Sequence, residues 1–130
     1  MKTYEYSCQD VLNWRRSQLI LGGNKYELDY LLDAGGGLNR SDMQKIYMEN
    51  LSRINLTKSL DNLAIIWRKY INNNIPLQYL IGVCFWRDFQ VEVNSSVMIP
   101  RRETELLVDF AIDRFKDLPK GRWVDLGTGS

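Results

Sequence analysis

The residues best suited to chemistry stand at the end of the sequence, where Arg122-Trp123-Val124-Asp125-Leu126 runs into Gly127-Thr128-Gly129-Ser130. A short apolar run that ends on an acid and then turns through Gly-x-Gly is how a strand delivers a loop to a ligand. Glycine has no Cβ, so it accepts positive φ and lets a ligand lie against the backbone. Amides of a turn after a strand also face a ligand's polar groups. Taken alone, Gly-x-Gly also fits a plain loop, so its meaning depends on what lies upstream. There, Arg101, Glu103, Thr104 and Glu105 form a second polar cluster directly after Pro100. The two acids would suit the first turn of any helix, and Arg101 would suit any surface.

Composition narrows the chemistry further. The 130 residues hold 17 Lys and Arg against 16 Asp and Glu, a formal net charge of +1. That balance gives no support for non-specific binding to nucleic acid or to a membrane surface. Histidine is absent, which removes the Ser-His-Asp triad, the Cys-His pair and any His-ligated metal. Cys8 and Cys84 have neither metal-ligand spacing nor a disulfide framework, and read as small apolar residues in a reducing compartment. Residues Met1 to Ser7 lack the apolar core of a signal peptide. The most apolar stretch, Pro76 to Trp86, falls far short of the roughly 20 residues needed to span a bilayer. The expected location is cytoplasmic, with no metal.

The elements that must position the polar clusters can be read in order. The first 74 residues read as a helical bundle. Ser7 with Asp10 opens a first helix, ended by Gly22-Gly23. Asn24 with Glu27 opens a second, with Leu28, Leu31 and Leu32 as its buried stripe, ended by Gly35-Gly36-Gly37. No strand precedes those three glycines and no Lys-Ser/Thr pair follows, so they do not read as a phosphate loop. Ser41 with Gln44 predicts a third helix towards Asn50. Leu60, Leu63, Trp67, Tyr70 and Ile71 repeat at helical spacing and predict a fourth, stopped at Asn72-Asn73-Asn74.

From Gly82 the period changes to two. Phe89, Val91 and Val93 alternate with polar residues, and Val83-Cys84-Phe85-Trp86 can pair with them through Arg87-Asp88. Val97-Met98-Ile99 reads as a further short strand. Residues 75–100 therefore read as a β-hairpin linker. Beyond Pro100, Leu106, Leu107, Phe110, Ala111 and Phe115 predict a helix, and Trp123-Val124-Asp125-Leu126 a buried strand. Helix, strand and glycine turn in that order suit the opening of an α/β nucleotide-type domain.

Taken together, Pro76-Leu77-Gln78-Tyr79-Leu80-Ile81-Gly82, Phe85, Phe89, Val97 to Glu105 and Asp125 to Ser130 closely resemble the glutamine-N5 methyltransferases of peptide chain release factors, the HemK/PrmC family. The resemblance covers essentially the whole chain, though its specific motifs begin at Pro76. It implies an α + α/β protein: a helical N-terminal domain (1–74) that docks the substrate, the hairpin linker (75–100), and the first elements of a Rossmann-like domain (101–130) that uses S-adenosylmethionine (SAM). By the resemblance, Asp125, Gly127, Thr128, Gly129 and Ser130 belong to the first SAM-binding motif. Arg101, Glu103 and Thr104 match the family's Pro-Arg-x-Glu-Thr-Glu stretch beside the same pocket. Arg102 departs from the Pro that the family most often has.

The family's catalytic Asn-Pro-Pro-Tyr motif does not occur in these residues, so no catalytic residue is assigned. The expectation is an N-terminal fragment, inactive alone, of an enzyme whose partner is a release factor. A glutamine methyltransferase of a large-subunit ribosomal protein is an enzymatic alternative, favoured less by the Arg-x-Glu-Thr-Glu form. A more distant one methylates nucleic-acid amino groups, which the near-neutral charge disfavours. A non-catalytic helical module that binds a partner protein is the alternative from another class.

Overall fold

In the computed structural model, which describes residues 2–48, 53–116, 121, 122, 124, 126 and 127, Ser7 ends strand β1 (Tyr4–Ser7) and opens helix α1 (Cys8–Leu21). The capping box expected there is present. The Asp10 amide donates to Ser7 Oγ at 3.1 Å, and the Ser7 amide donates back to Asp10 Oδ2 at 3.3 Å. Two of the four orphan amides at a helix start are satisfied in this way or by similar caps. Asn24 does the same for α2 (Lys25–Tyr30), its Oδ1 accepting from the Tyr26 and Glu27 amides at 3.0 Å each.

Helix α2 continues into one π-helical turn, Leu31–Gly35, which Gly36 closes by donating to the carbonyls of Leu31 and Leu32 at 3.1 Å. The Gly36 carbonyl in turn accepts from the Thr57 amide at 2.9 Å. The glycine triplet is thus a helix ending and a docking point for the chain 20 residues on. Helix α3 (Arg40–Tyr47) is capped by Asn39, two residues before the Ser41 cap read from the sequence. Asn39 Oδ1 accepts from the Asp42 amide and Asn39 Nδ2 donates to the Asp42 carboxylate, both at 2.9 Å. This reciprocal pair out-competes Ser41 with Gln44.

Strand β2 (Arg53–Leu56) pairs antiparallel with β1, Tyr4 opposite Leu56 and Tyr6 opposite Ile54. This corrects the all-helical reading of residues 1–74. A four-residue strand carries too little alternation to be read, and its partner lies about 50 residues away in sequence. The pair guides the chain into α4 (Leu60–Asn73), because Tyr6 Oη accepts from the Leu60 amide at 3.1 Å. Ser59 caps α4 as well, through the Asn62 amide. Leu60, Leu63, Ala64 and Trp67 form its buried face, as their spacing predicts. Trp67 is fully buried and donates through Nε1 to the Gln18 carbonyl of α1 at 3.1 Å. Asn74, with φ 54°, ends α4 in the left-handed conformation. Helix α5 (Leu77–Ile81) follows, within the stretch read as linker.

The residues group into two compact units, Met1–Ile81 and Gly82–Ser130. In the first, Val11, Leu28, Leu31, Leu32, Ile46, Leu56, Leu63 and Trp67 make one contiguous core. Each such side chain contributes roughly 1.5–3 kcal/mol on burial. Among the described residues the content is mixed, helices with two small antiparallel sheets.

The second unit begins with strands β3 (Val83–Trp86) and β4 (Phe89–Glu92), paired antiparallel across Arg87-Asp88 as expected. The Val93 amide extends the ladder to the Gly82 carbonyl at 3.0 Å. Val97-Met98-Ile99 is not a strand. Asn94 instead organises a turn, its Oδ1 accepting from the Ser96 amide and its carbonyl from the Val97 amide. Helix α6 (Glu103–Phe115) follows, with no residue buried. Of the expected strand Trp123 to Leu126, Trp123 and Asp125 lie outside the described residues. Val124 and Leu126 are exposed and not in a strand.

Candidate functional site

The Arg101–Glu105 stretch owes its position to the hairpin. Trp86 ends β3 and donates through Nε1 to the Arg101 carbonyl at 3.1 Å. Arg87, next in the chain, reaches α6 with its guanidinium: Nη1 lies 2.7 Å from Asp109 Oδ1 and 3.4 Å from the Glu105 carbonyl. Arg87 adopts φ 53°, a conformation that costs a residue with a Cβ roughly 1–2 kcal/mol. The hydrogen bond to Asp109 raises the Arg87 pKa above its already high value, with Glu105 and Asp88 adding to it and partial burial opposing it. The guanidinium is therefore charged at every working pH. Neither Trp86 nor Arg87 stood out in the sequence as more than hairpin residues. Their partners lie 15 and 22 positions away, and no local pattern signals such a clamp.

Behind this clamp, Arg102 precedes α6 as its cap, its carbonyl accepting from the Glu105 amide at 2.9 Å, while the Arg101 carbonyl accepts from the Thr104 amide at 3.1 Å. The side chains of Arg101, Glu103 and Thr104 are exposed, and among the described residues they make no hydrogen bond or ion pair. Acids at 103 and 105 stand in the first turn, where the helix dipole favours negative charge. The Glu103 carboxylate and the Arg101 guanidinium are thus free to engage hydroxyl or amino groups of a ligand.

Gly127 takes φ +75°, and a Cβ built on it would meet nothing within 4 Å. Its glycine is required by conformation, not by crowding, and its backbone is open to a ligand. That is the property a cofactor loop needs. Among the described residues, no hydrogen bond links Gly127 or Leu126 to the Arg101–Glu105 stretch. Asp125, Thr128, Gly129 and Ser130, the other expected cofactor residues, lie outside the described residues.

Cys8 and Cys84 form no disulfide. Cys84 is buried, which pushes its pKa up and leaves it a protonated, unreactive thiol at neutral pH. No helix among the described residues is long and apolar enough to cross a membrane.

Curated relatives match along most of the chain. A release factor glutamine methyltransferase of Prochlorococcus marinus is 46% identical over 127 residues, covering 96% of this chain and 43% of the relative. Proteins of the same name from Gloeobacter violaceus and a Synechocystis species are 43% and 36% identical, covering 80% and 89% of this chain and 35% and 40% of their own lengths. The chain therefore spans less than half the length of these relatives. No family model matches it, and no solved structure does. The motifs that suggested a methyltransferase thus recur in a chain similar almost end to end to proteins of that name, and the chain belongs to the HemK/PrmC family of release factor glutamine methyltransferases.

Proposed function

We propose that this chain contributes the substrate-docking and first cofactor-binding parts of a SAM-dependent enzyme that methylates the N5 atom of a release-factor glutamine in the cytoplasm. The observation that carries the reading is the 46% identity over 96% of the chain to a protein named for that activity. Residues 1–74 would dock the release factor, 75–100 would link, and 101–130 would open a Rossmann-like domain. The exposed apolar side chains of α6, Leu106, Leu107 and Phe110, would be the face on which the sheet of that domain is laid.

In this reading the Gly127 backbone, with Asp125, Thr128, Gly129 and Ser130, approaches the amino-acid end of SAM, and Arg101, Glu103 and Thr104 flank the same pocket. SAM, when bound, supplies a methyl group activated by its sulfonium. That activation matters because an amide nitrogen is a poor nucleophile, its lone pair being delocalised into the carbonyl. The protein's share is orientation: holding the amide in line and excluding water. These 130 residues contain no Asn-Pro-Pro-Tyr to accept hydrogen bonds from the amide, so by themselves they transfer no methyl group.

A chimera joins this chain to the part of the Prochlorococcus marinus relative that it does not cover. Supplied with labelled SAM, the chimera should label a release factor on glutamine, and Arg101→Ala with Glu103→Ala should reduce the transfer about tenfold or more. A folded chimera that labels nothing would sink the proposal. Labelling of a large-subunit ribosomal protein instead would replace the substrate. Micromolar SAM binding by the 130 residues alone would show that their pocket is already sufficient.

A further inference from the structure

A second site lies wholly within the first unit. A cavity of about 360 Å³ opens where α2, the end of α4 and the start of α5 meet, lined by Tyr26, Glu27, Tyr30, Tyr70, Asn74 and Gln78 among others. Its volume is within the range of small-ligand pockets. The pocket sets three phenol rings, two carboxamides and one carboxylate around one space.

The state of the carboxylate is the informative detail. Tyr70 Oη donates to Glu27 Oε2, joining the α4 wall to the α2 wall, and Asn24 Nδ2 donates to the same oxygen at 3.0 Å. Both donors are neutral and both use Oε2. Among the described residues Oε1 accepts nothing, and no Lys or Arg pairs with Glu27. The Glu27 side chain is thus held in place by its neighbours with its charge left uncompensated. Aromatic faces attract cations through their quadrupole, and this chain already shows the effect at the rim, where Lys25 Nζ lies 4.9 Å from the Tyr26 ring centroid.

We infer that this pocket receives an arginine side chain presented by a partner polypeptide. A guanidinium stacks on aromatic faces and carries five N–H donors in one plane. Those donors match acceptors spread over separate walls: Glu27 Oε1, the Asn74 and Gln78 carboxamide oxygens and the phenol oxygens. A lysine ammonium, a compact and strongly hydrated charge, matches such a dispersed set less well. The inference goes beyond the methyl-transfer reading and does not depend on it, because no cofactor residue takes part.

The test titrates the whole 130-residue chain with an acetylated, amidated Gly-Arg-Gly tripeptide, followed by amide chemical shifts. The same peptide with citrulline or lysine in place of arginine serves as the control. Arginine should bind at least about tenfold more tightly than citrulline, the neutral isostere, with shifts centred on residues 26–30, 70–74 and 77–78. Glu27→Gln keeps an acceptor for Tyr70 and should weaken arginine binding by a similar factor. Tyr26→Ala alters a side chain that is 74% exposed, leaves folding intact and should weaken binding severalfold. Equal binding of arginine and citrulline, shifts elsewhere on the surface, or undiminished binding by Glu27→Gln would each overturn the site. Lysine binding as tightly as arginine would overturn the guanidinium assignment.

Discussion

The two compact units treat their apolar residues in opposite ways. In Met1–Ile81 the large hydrophobics from α1, α2, α3, α4 and β2 converge on one buried cluster around Trp67. In Gly82–Ser130, the described residues bury only Cys84 and Val93, while Leu106, Leu107, Phe110, Val124 and Leu126 are all more than half exposed. A helix with that much apolar side chain in water is not stabilised by burial. The ion pair of Arg87 with Asp109 and the Trp86 hydrogen bond hold α6 to the hairpin instead. Such exposed polar links contribute little each. The contrast assigns thermodynamic stability to the first unit and an unfilled apolar surface to the second.

The sharpest way to break this comparison is to remove matched apolar side chains from both units. Leu28→Ala, at a position with no exposure, should cost about 2–5 kcal/mol in urea unfolding followed by circular dichroism. Phe110→Ala, at 78% exposure, should change stability by no more than about 0.5 kcal/mol. Equal losses would mean that α6 is as well packed as α2.

Next in size is Gly23→Ala. Gly23 has φ +81°, and a Cβ there would lie 2.4 Å from the buried Trp67 ring. Since the indole cannot move without disturbing the core, the loss should be about 1–3 kcal/mol with a red-shifted tryptophan emission. Gly127→Ala, with nothing near its Cβ, should cost only the roughly 1–2 kcal/mol of its left-handed backbone and leave the tryptophan emission unchanged.

Hydrogen exchange sharpens the contrast without any substitution. Amides of α4 should exchange only through global opening, and those of α6 at least about a hundredfold faster, because its exposed backbone opens locally. Comparable protection of the two helices would contradict the assignment.

The smallest effect is expected at high pH. Burial disfavours the Tyr47 phenolate and nearby Asp29 adds to this, while Arg15 opposes it, so the phenol's pKa stands above 10.0. A group with a raised folded pKa contributes its full stability below the unfolded value and loses it as pH climbs through the folded one. The stability difference between the parent chain and Tyr47→Phe should therefore be constant up to about pH 9.5 and drift against the parent above it. An unchanging difference to pH 11 would show that the Tyr47 surroundings leave its ionisation unaffected.

Much of what positions the candidate sites was legible in the residues. The Ser7 and Asn24 caps, the buried face of α4, the Arg87-Asp88 turn and the start of α6 after Pro100 all depend on groups within four positions of one another. The glycine at 127 also needs only its own backbone preference. The β1–β2 pair, helix α5 and the Asn39 cap of α3 escaped the reading. A four- or five-residue element has too few residues to show a period, and a cap is chosen by competition between neighbours.

By itself, then, the sequence determined most of the longer helices, the β3–β4 hairpin and the family, because caps, periodicity and motif spacing are written in adjacent residues. Only the tertiary structure decided that Arg87 clasps Asp109 and that Tyr70 and Asn24 hold one oxygen of Glu27 while leaving the other open. It also decided that the core closes around Trp67 while α6 remains bare. Those outcomes join side chains far apart in the chain, and their geometry follows from how helices and strands pack.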